Sequence, residues 1–181
     1  MVELLDKQYL DVITLASPDS VFAPDAVFPN NWFSTTQSDL VIYPMKAASR
    51  QLECQPDELS KKLIDSGFNI HNIYDLRHSD SINGVLEGTG AMVIDHVDNT
   101  LYATISERCE ASAIAAFAHM FDYTLFTLEA VTNNAVPIYH TNVLMTIGLD
   151  FVVIADHALT SNERNTAACE KLRETKSDFI S

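Results

Sequence analysis

One order of elements, strand, strand, helix, strand, recurs three times along this chain, and a repeat of that kind leaves few folds open. The middle copy is the clearest. Ala91–Asp95 and Thr100–Ile105 are short apolar runs separated by a polar turn at His96–Asn99, as in a hairpin. Ile114, Phe117, Ala118 and Phe121 then follow at helical spacing, with Ser106 placed as an N-cap and Glu107 and Glu110 in an acid-favouring first turn. Tyr123–Leu128 closes the copy as a strand. The upstream copy is predicted from strands at Ala26–Phe33 and Leu40–Tyr43, a helix opened by Pro56, with Leu59, Leu63 and Ile64 on its inner face and its end near Gly67, and a strand at Phe68–Leu76. The downstream copy is predicted from Asn142–Ile147, Phe151–Ala155, a helix capped by Thr160 with Glu163 three residues on, and a strand at Asp178–Ile180.

The modules then run over about 26–76, 90–129 and 141–181 of a single α/β domain. Residues 1–25 read as the remnant of a preceding module, with a strand at Asp11–Leu15. Alternating strands and helices also describe a doubly wound nucleotide-binding fold. The phosphate loop that fold needs is missing: Gly88 and Gly90 form a GxG, but position 93 is Val.

Charge narrows the partners. Eleven Lys and Arg stand against 25 Asp and Glu, a net charge of −14, with no basic cluster. Nucleic acid and anionic membrane surfaces are therefore not expected as partners, since both are bound through Lys and Arg. Cys54, Cys109 and Cys169 are an odd number without CxxC spacing, so neither a disulfide framework nor a zinc site is expected. The histidines show no paired ligand spacing, and no metal or cofactor is predicted. An acidic N-terminus and the lack of a long apolar run make the expectation a cytoplasmic protein.

Three polar clusters sit at or just before the first strand of each module: Asp25–Trp32, Leu86–Gly90 and Tyr139–Asn142. Asn31 and Glu87 are 56 residues apart and Glu87 and His140 are 53 apart, about one repeat each. If the modules surround an axis, these three side chains converge on one cavity. A carboxylate beside an imidazole is an acid–base pair. Taken singly, each cluster is equally a turn or a satisfied core polar group.

DAVFPNNWFST, LEGTGAMVID and YHTNVLMTIG together resemble the guanidino-group-modifying, or pentein (amidinotransferase-like), superfamily, on the side of its arginine-deiminase-related, citrulline-hydrolase-like members. The resemblance runs from about Asp11 to the end of the chain. It implies five ββαβ modules in an α/β-propeller with the substrate at the centre, of which about three are present. It further implies that Glu87 orients His140, which protonates a leaving amine and then activates water. Asn31 and Asn142 fall where the family binds substrate, and Asp25 and Phe28 are counted with them.

Two departures from the pattern follow. Asn31 and Asn142 are amides where arginine-handling relatives often carry carboxylates, which suits a neutral ureido group better than a guanidinium. The family's nucleophilic cysteine lies in a later module, so little catalysis is expected of this chain alone. Cys109, beside Arg108 in the first turn of a predicted helix, is the one weak substitute. The competing expectation is a noncatalytic domain that keeps a pocket for a small amino-acid-like ligand or associates with itself. A homo-oligomer formed through uncovered module faces is expected in either case.

Overall fold

The computed structural model describes residues 12–16 and 23–181. The first unit holds β1 (Phe33–Thr35), β2 (Asp39–Ile42), the short α1 (Ala48–Gln51), α2 (Pro56–Asp65) and β3 (Asn72–Asp75). The second holds α3 (Gly88–Ala91), β4 (Met92–Asp95), β5 (Thr100–Thr104), α4 (Ala111–Met120) and β6 (Thr124–Leu128). The third holds β7 (Met145–Ile147), β8 (Phe151–Ile154), α5 (Glu163–Thr175) and β9 (Asp178–Ile180). Each unit builds its own three-stranded sheet, in the orders β1-β2-β3, β4-β5-β6 and β7-β8-β9.

In every unit the first two strands pair antiparallel and the third returns parallel to the second. A tight turn can join the antiparallel pair, whereas the parallel pair requires a crossover, and the long helix of each unit supplies it. The three ββαβ modules read from the sequence are therefore the architecture of the fold.

Each middle strand has two faces, and the clusters of buried side chains show what covers them. Leu40 and Ile42 of β2 pack with Leu59 and Leu63 of their own α2. Val41, between them, packs instead with Ile114 and Phe117 of α4 in the next unit. The pattern repeats one unit on. Leu101 and Ala103 of β5 join the α4 cluster, while Tyr102 joins Ala168 and Leu172 of α5. A strand buried on both sides reads as a continuous apolar run, which is how these strands appear in the sequence.

At their inner ends the units touch one another. α3 lies against the Pro29–Asn31 turn, against β1 and against the Thr141–Val143 turn, and β4 lies against β7. The residues just before each first strand are thereby gathered in one place.

Several boundaries differ from expectation. Ala26–Phe33 is not a strand: residues 24–27 form a turn, Pro29–Asn31 a single 3-10 turn, and β1 begins at Phe33. Pro29 lacks the N–H a strand would use and occupies the opening of that turn. Thr141–Val143 is likewise a 3-10 turn, so only Met145–Ile147 of the predicted Asn142–Ile147 strand is formed. The predicted Phe68–Leu76 strand shrinks to Asn72–Asp75. Helix α4 begins at Ala111 with Glu110 at its N-cap, because Ser106 and Cys109 first exchange backbone hydrogen bonds in a tight turn. Asn162, not Thr160, caps α5, its side chain accepting from the Asn165 amide at 2.9 Å. Val12–Leu15 forms no strand, and Asp11 lies outside the described residues. Among the described residues no helix is long and apolar enough to cross a membrane.

Candidate functional site

A cleft of about 290 Å³ opens where the three units meet. Asp25, Phe28, Asn30, Asn31, Ala47 and Arg50 line it from the first unit, Glu87 and Arg108 from the second, and Tyr139, His140, Asn142 and Val143 from the third. All six binding and acid–base residues singled out in the sequence therefore share one cavity. Tyr139, part of the third polar cluster, also lines it, and Arg50 and Arg108 join them without having been anticipated as site residues.

Glu87 is the hub, and its placement follows from its neighbours Gly88 and Gly90. Gly88 has φ +44°, and a Cβ there would stand 2.5 Å from the Asn30 carbonyl oxygen. A Cβ on Gly90 would stand 2.1 Å from Asn31 Nδ2. Only glycine lets the Pro29–Asn31 turn settle on α3 at this distance. Thr89, between the two, donates its hydroxyl to Asn30 O at 3.2 Å.

The Glu87 carboxylate is 1% exposed and engaged on both oxygens. Oε1 accepts from the Lys46 backbone amide at 3.1 Å and from Arg108 Nη1 at 2.9 Å. Oε2 meets His140 Nε2 at 2.8 Å. Burial pushes the carboxyl pKa up, but the hydrogen bonds from His140, Arg108 and Lys46 outweigh it and hold the group below its ordinary range. An ionised carboxylate only accepts, so the hydrogen in the 2.8 Å contact sits on His140 Nε2. Nδ1 then remains as the nitrogen available for proton exchange, with no hydrogen bond to it among the described residues.

His140 is held in turn by Thr141, which is fully buried. The Thr141 hydroxyl donates to Ala91 O at the end of α3 and accepts from the Thr104 amide at 2.7 Å. Ser106 donates to Tyr139 O at 2.8 Å, and the Tyr139 ring stands edge-on to the imidazole at 4.8 Å.

Asn31 and Arg50 form the other deep wall. Asn31 is 4% and Arg50 6% exposed. Arg50 gives Nη1 to Asn31 Oδ1 at 3.1 Å, Nη2 to Phe28 O at 2.9 Å and Nε to Glu53 Oε2 at 2.7 Å. Asp25, Phe28 and Asn142 stand at the exposed rim. The one sequence signal for Arg50 is the opposite charge of Glu53 three residues on, just past the end of α1. Arg108 carried no such signal.

Cys109 does not belong to the cleft. It is completely buried, precedes α4 instead of opening it, and burial pushes its thiol up to about 12. Burial likewise pushes Cys54 up to about 11 and raises Cys169. None of the three lines the site. Among the described residues no cluster of three or more His, Cys, Asp or Glu is placed to hold a metal ion.

The sequence matches the family described as N,N dimethylarginine dimethylhydrolase, eukaryotic, over residues 1–181. No curated protein matches the sequence. The fold is similar to that of the apo form of ArgZ, an arginine dihydrolase from the ornithine-ammonia cycle in Cyanobacteria, with a TM-score of 0.68 and 16% identity over 99% of this chain and 26% of that one. The substrate-bound N-terminal domain of ArgZ gives a TM-score of 0.66 at 16% identity, covering 97% of this chain and 60% of that one. SxtG, an amidinotransferase from Microseira wollei in the saxitoxin biosynthetic pathway, gives 0.63 at 12% identity, covering 99% of this chain and 57% of that one. This chain thus spans less than two thirds of the length of each. Together the family match and these likenesses give the chain a pentein-like fold.

Proposed function

The chain belongs to the N,N-dimethylarginine dimethylhydrolase family, and on that premise we propose that its central cleft binds an amino acid bearing a guanidino or ureido group and provides the acid–base half of a C–N hydrolysis. The observation that carries this reading is the 2.8 Å contact between Glu87 Oε2 and His140 Nε2, made inside a cleft to which all three units contribute. Asn31, Asn142, Asp25 and Phe28 act as the binding residues. Glu87 fixes the imidazole, and His140 moves protons through Nδ1.

The chemistry such a site serves is nucleophilic. A thiol passes its proton to His140 Nδ1 and attacks, as the thiolate, the central carbon of the amidine or ureido group, and the C–N bond breaks as Nδ1 gives that proton to the departing nitrogen. The ring then takes a proton from water, whose oxygen attacks the same carbon and releases the thiolate. Cys54, Cys109 and Cys169 lie outside the cleft with raised thiol pKa values, so none of them fills that role. The thiolate is supplied from outside this set, and the chain alone binds without turning over.

Thermal unfolding of the full chain with L-citrulline or L-arginine, run beside an assay for ammonia and ornithine, tests both halves. Binding to the native state raises stability by about 2.7 kcal/mol at a hundred times Kd. The expected result is a rise in Tm with no product, lost in His140→Ala and Asn31→Ala. A rise that survives both substitutions places the ligand elsewhere and ends the reading.

A second reading, self-association without catalysis, is favoured by one feature: Phe151, Val153 and Ile180 on the outer face of the third sheet are 43, 39 and 52% exposed. A second copy of the chain covering that face is the corresponding expectation. Sedimentation at micromolar concentration decides it, a clean monomer removing the idea.

A further inference from the structure

A second cavity, of about 360 Å³, lies behind the wall of the central cleft. The Arg50–Glu53 ion pair is the partition: Arg50 lines the cleft, Glu53 lines the second cavity, and neither lines both. Around Glu53 the walls are apolar. Trp32, Leu59 and Leu63 lie deep, at 2, 3 and 5% exposure, and Ile13 and Phe68 flank the mouth, at 38 and 44%. A space of this size, mostly apolar with few polar groups set in it, has the make-up of a small-molecule site.

Glu53 states what chemistry would fit. It is 3% exposed, and its Oε2 accepts from Arg50 Nε at 2.7 Å. Its Oε1 has no hydrogen-bond partner among the described residues. A buried acceptor left unpaired is costly, and a ligand that brings an N–H or O–H offsets that cost. The Arg50 guanidinium already balances the carboxylate, so a second cation would enter as an uncompensated buried charge. An anion would set its own negative oxygens against the unpaired one. The complementary head group is therefore a neutral donor.

We infer that this cavity is a second ligand site, separate from the central cleft, for a small neutral molecule with an apolar body and one hydroxyl or amide N–H donor. The donor meets Glu53 Oε1, and the body packs on Trp32, Leu59 and Leu63 and leaves past Phe68. The site is independent of the acid–base reading of the cleft, since it shares no lining residue with Glu87 and His140.

The chain carries one tryptophan, and it stands in the wall of this cavity, so Trp32 fluorescence reads occupancy. The test is titration of the full chain with 1-hexanol and, at the same ionic strength, with hexanoate. 1-Hexanol is expected to give a saturable change, and hexanoate to bind at least about tenfold more weakly. Glu53→Gln puts a neutral amide, which can also donate, in place of the carboxylate, so it narrows or removes that ratio. Should that variant fail to fold, Phe68→Ala at the exposed mouth is expected to weaken 1-hexanol while keeping the preference over hexanoate. Equal or tighter binding of hexanoate by the unaltered chain overturns the choice of ligand by Glu53. The absence of a saturable change with either compound overturns the site itself.

Discussion

Strands β5 and β8 hold the same position in successive units, yet their surroundings differ. All five residues of β5 are buried. β8 alternates, with Val152 and Ile154 buried and Phe151 and Val153 exposed. Leu101 and Ala103 of β5 correspond to Val152 and Ile154, each pair packed on the helix of its own unit. Tyr102 corresponds to Val153, and here the match ends: Tyr102 is covered by α5, whereas Val153 faces outward. Burial on the second face of a strand is thus a property of the neighbouring unit and not of the strand.

The largest expected effect tests that claim directly. Tyr102 is fully buried and stacks on Phe126 at 5.6 Å, so Tyr102→Ala is expected to cost about 3–5 kcal/mol, as large-to-small core substitutions of aromatics do. Chemical denaturation measures it. A loss no larger than that of Val153→Ala would break the comparison.

Next comes the inner end of the second unit, where Glu87 joins all three units through Lys46, Arg108 and His140. Its folded-state pKa lies below the ordinary 4.5. The ionised group therefore contributes stability that is complete above that ordinary value and disappears as pH falls through the folded pKa. Glu87→Gln is expected to lose about 1.5–3 kcal/mol near pH 7, the usual worth of hydrogen bonds to a charged group. The difference between variant and parent should shrink on acidification below 4.5. A gap that stays constant from neutral to acid pH would remove the carboxylate from this role.

Thr141→Val keeps the shape of the side chain but leaves the buried Thr104 amide and the Ala91 carbonyl without their hydroxyl partner. The expected cost is about 1–3 kcal/mol, together with a weaker ligand-induced rise in Tm because the His140 turn loosens. An unchanged ligand response would show that this hydroxyl does not position the imidazole.

The smallest effect belongs to the outer face of β8. Val153→Thr should change monomer stability by no more than about 0.5 kcal/mol. If a second copy covers this face, the same substitution lowers the sedimentation coefficient at a fixed concentration. An appreciable loss of monomer stability would mean that the face is covered from within the chain.

Much of the fold was legible because its elements are local. Ile114, Phe117 and Ala118 mark the buried stripe of α4, and Leu59 and Leu63 that of α2, at the positions helical spacing assigns them, whereas Ile64, expected on the same inner face, is 53% exposed. Boundaries failed where a backbone partner from elsewhere in the chain intervened. Ser106 looked like a cap, but its amide and carbonyl pair with Cys109, and its hydroxyl reaches Tyr139, 33 residues away. In the site, Asn31, Glu87 and His140 could be found by equal spacing because they occupy equivalent places in the repeat. Arg108 could not, since it sits in a turn that the repeat does not mark and reaches Glu87 only after the chain has folded back.

The amino-acid sequence by itself determined three ββαβ units and the placement of an amide, an acid and an imidazole at matching points within them. Short-range periodicity and turn chemistry suffice for that. The tertiary structure alone decided which donors engage those groups and which sheet faces are covered. Arg50 turns the Asn31 amide, Arg108 and Lys46 occupy Glu87, and α5 covers Tyr102 while Val153 stays open. These outcomes depend on hydrogen-bond partners and packing neighbours brought together from distant parts of the chain, and residue spacing does not encode them.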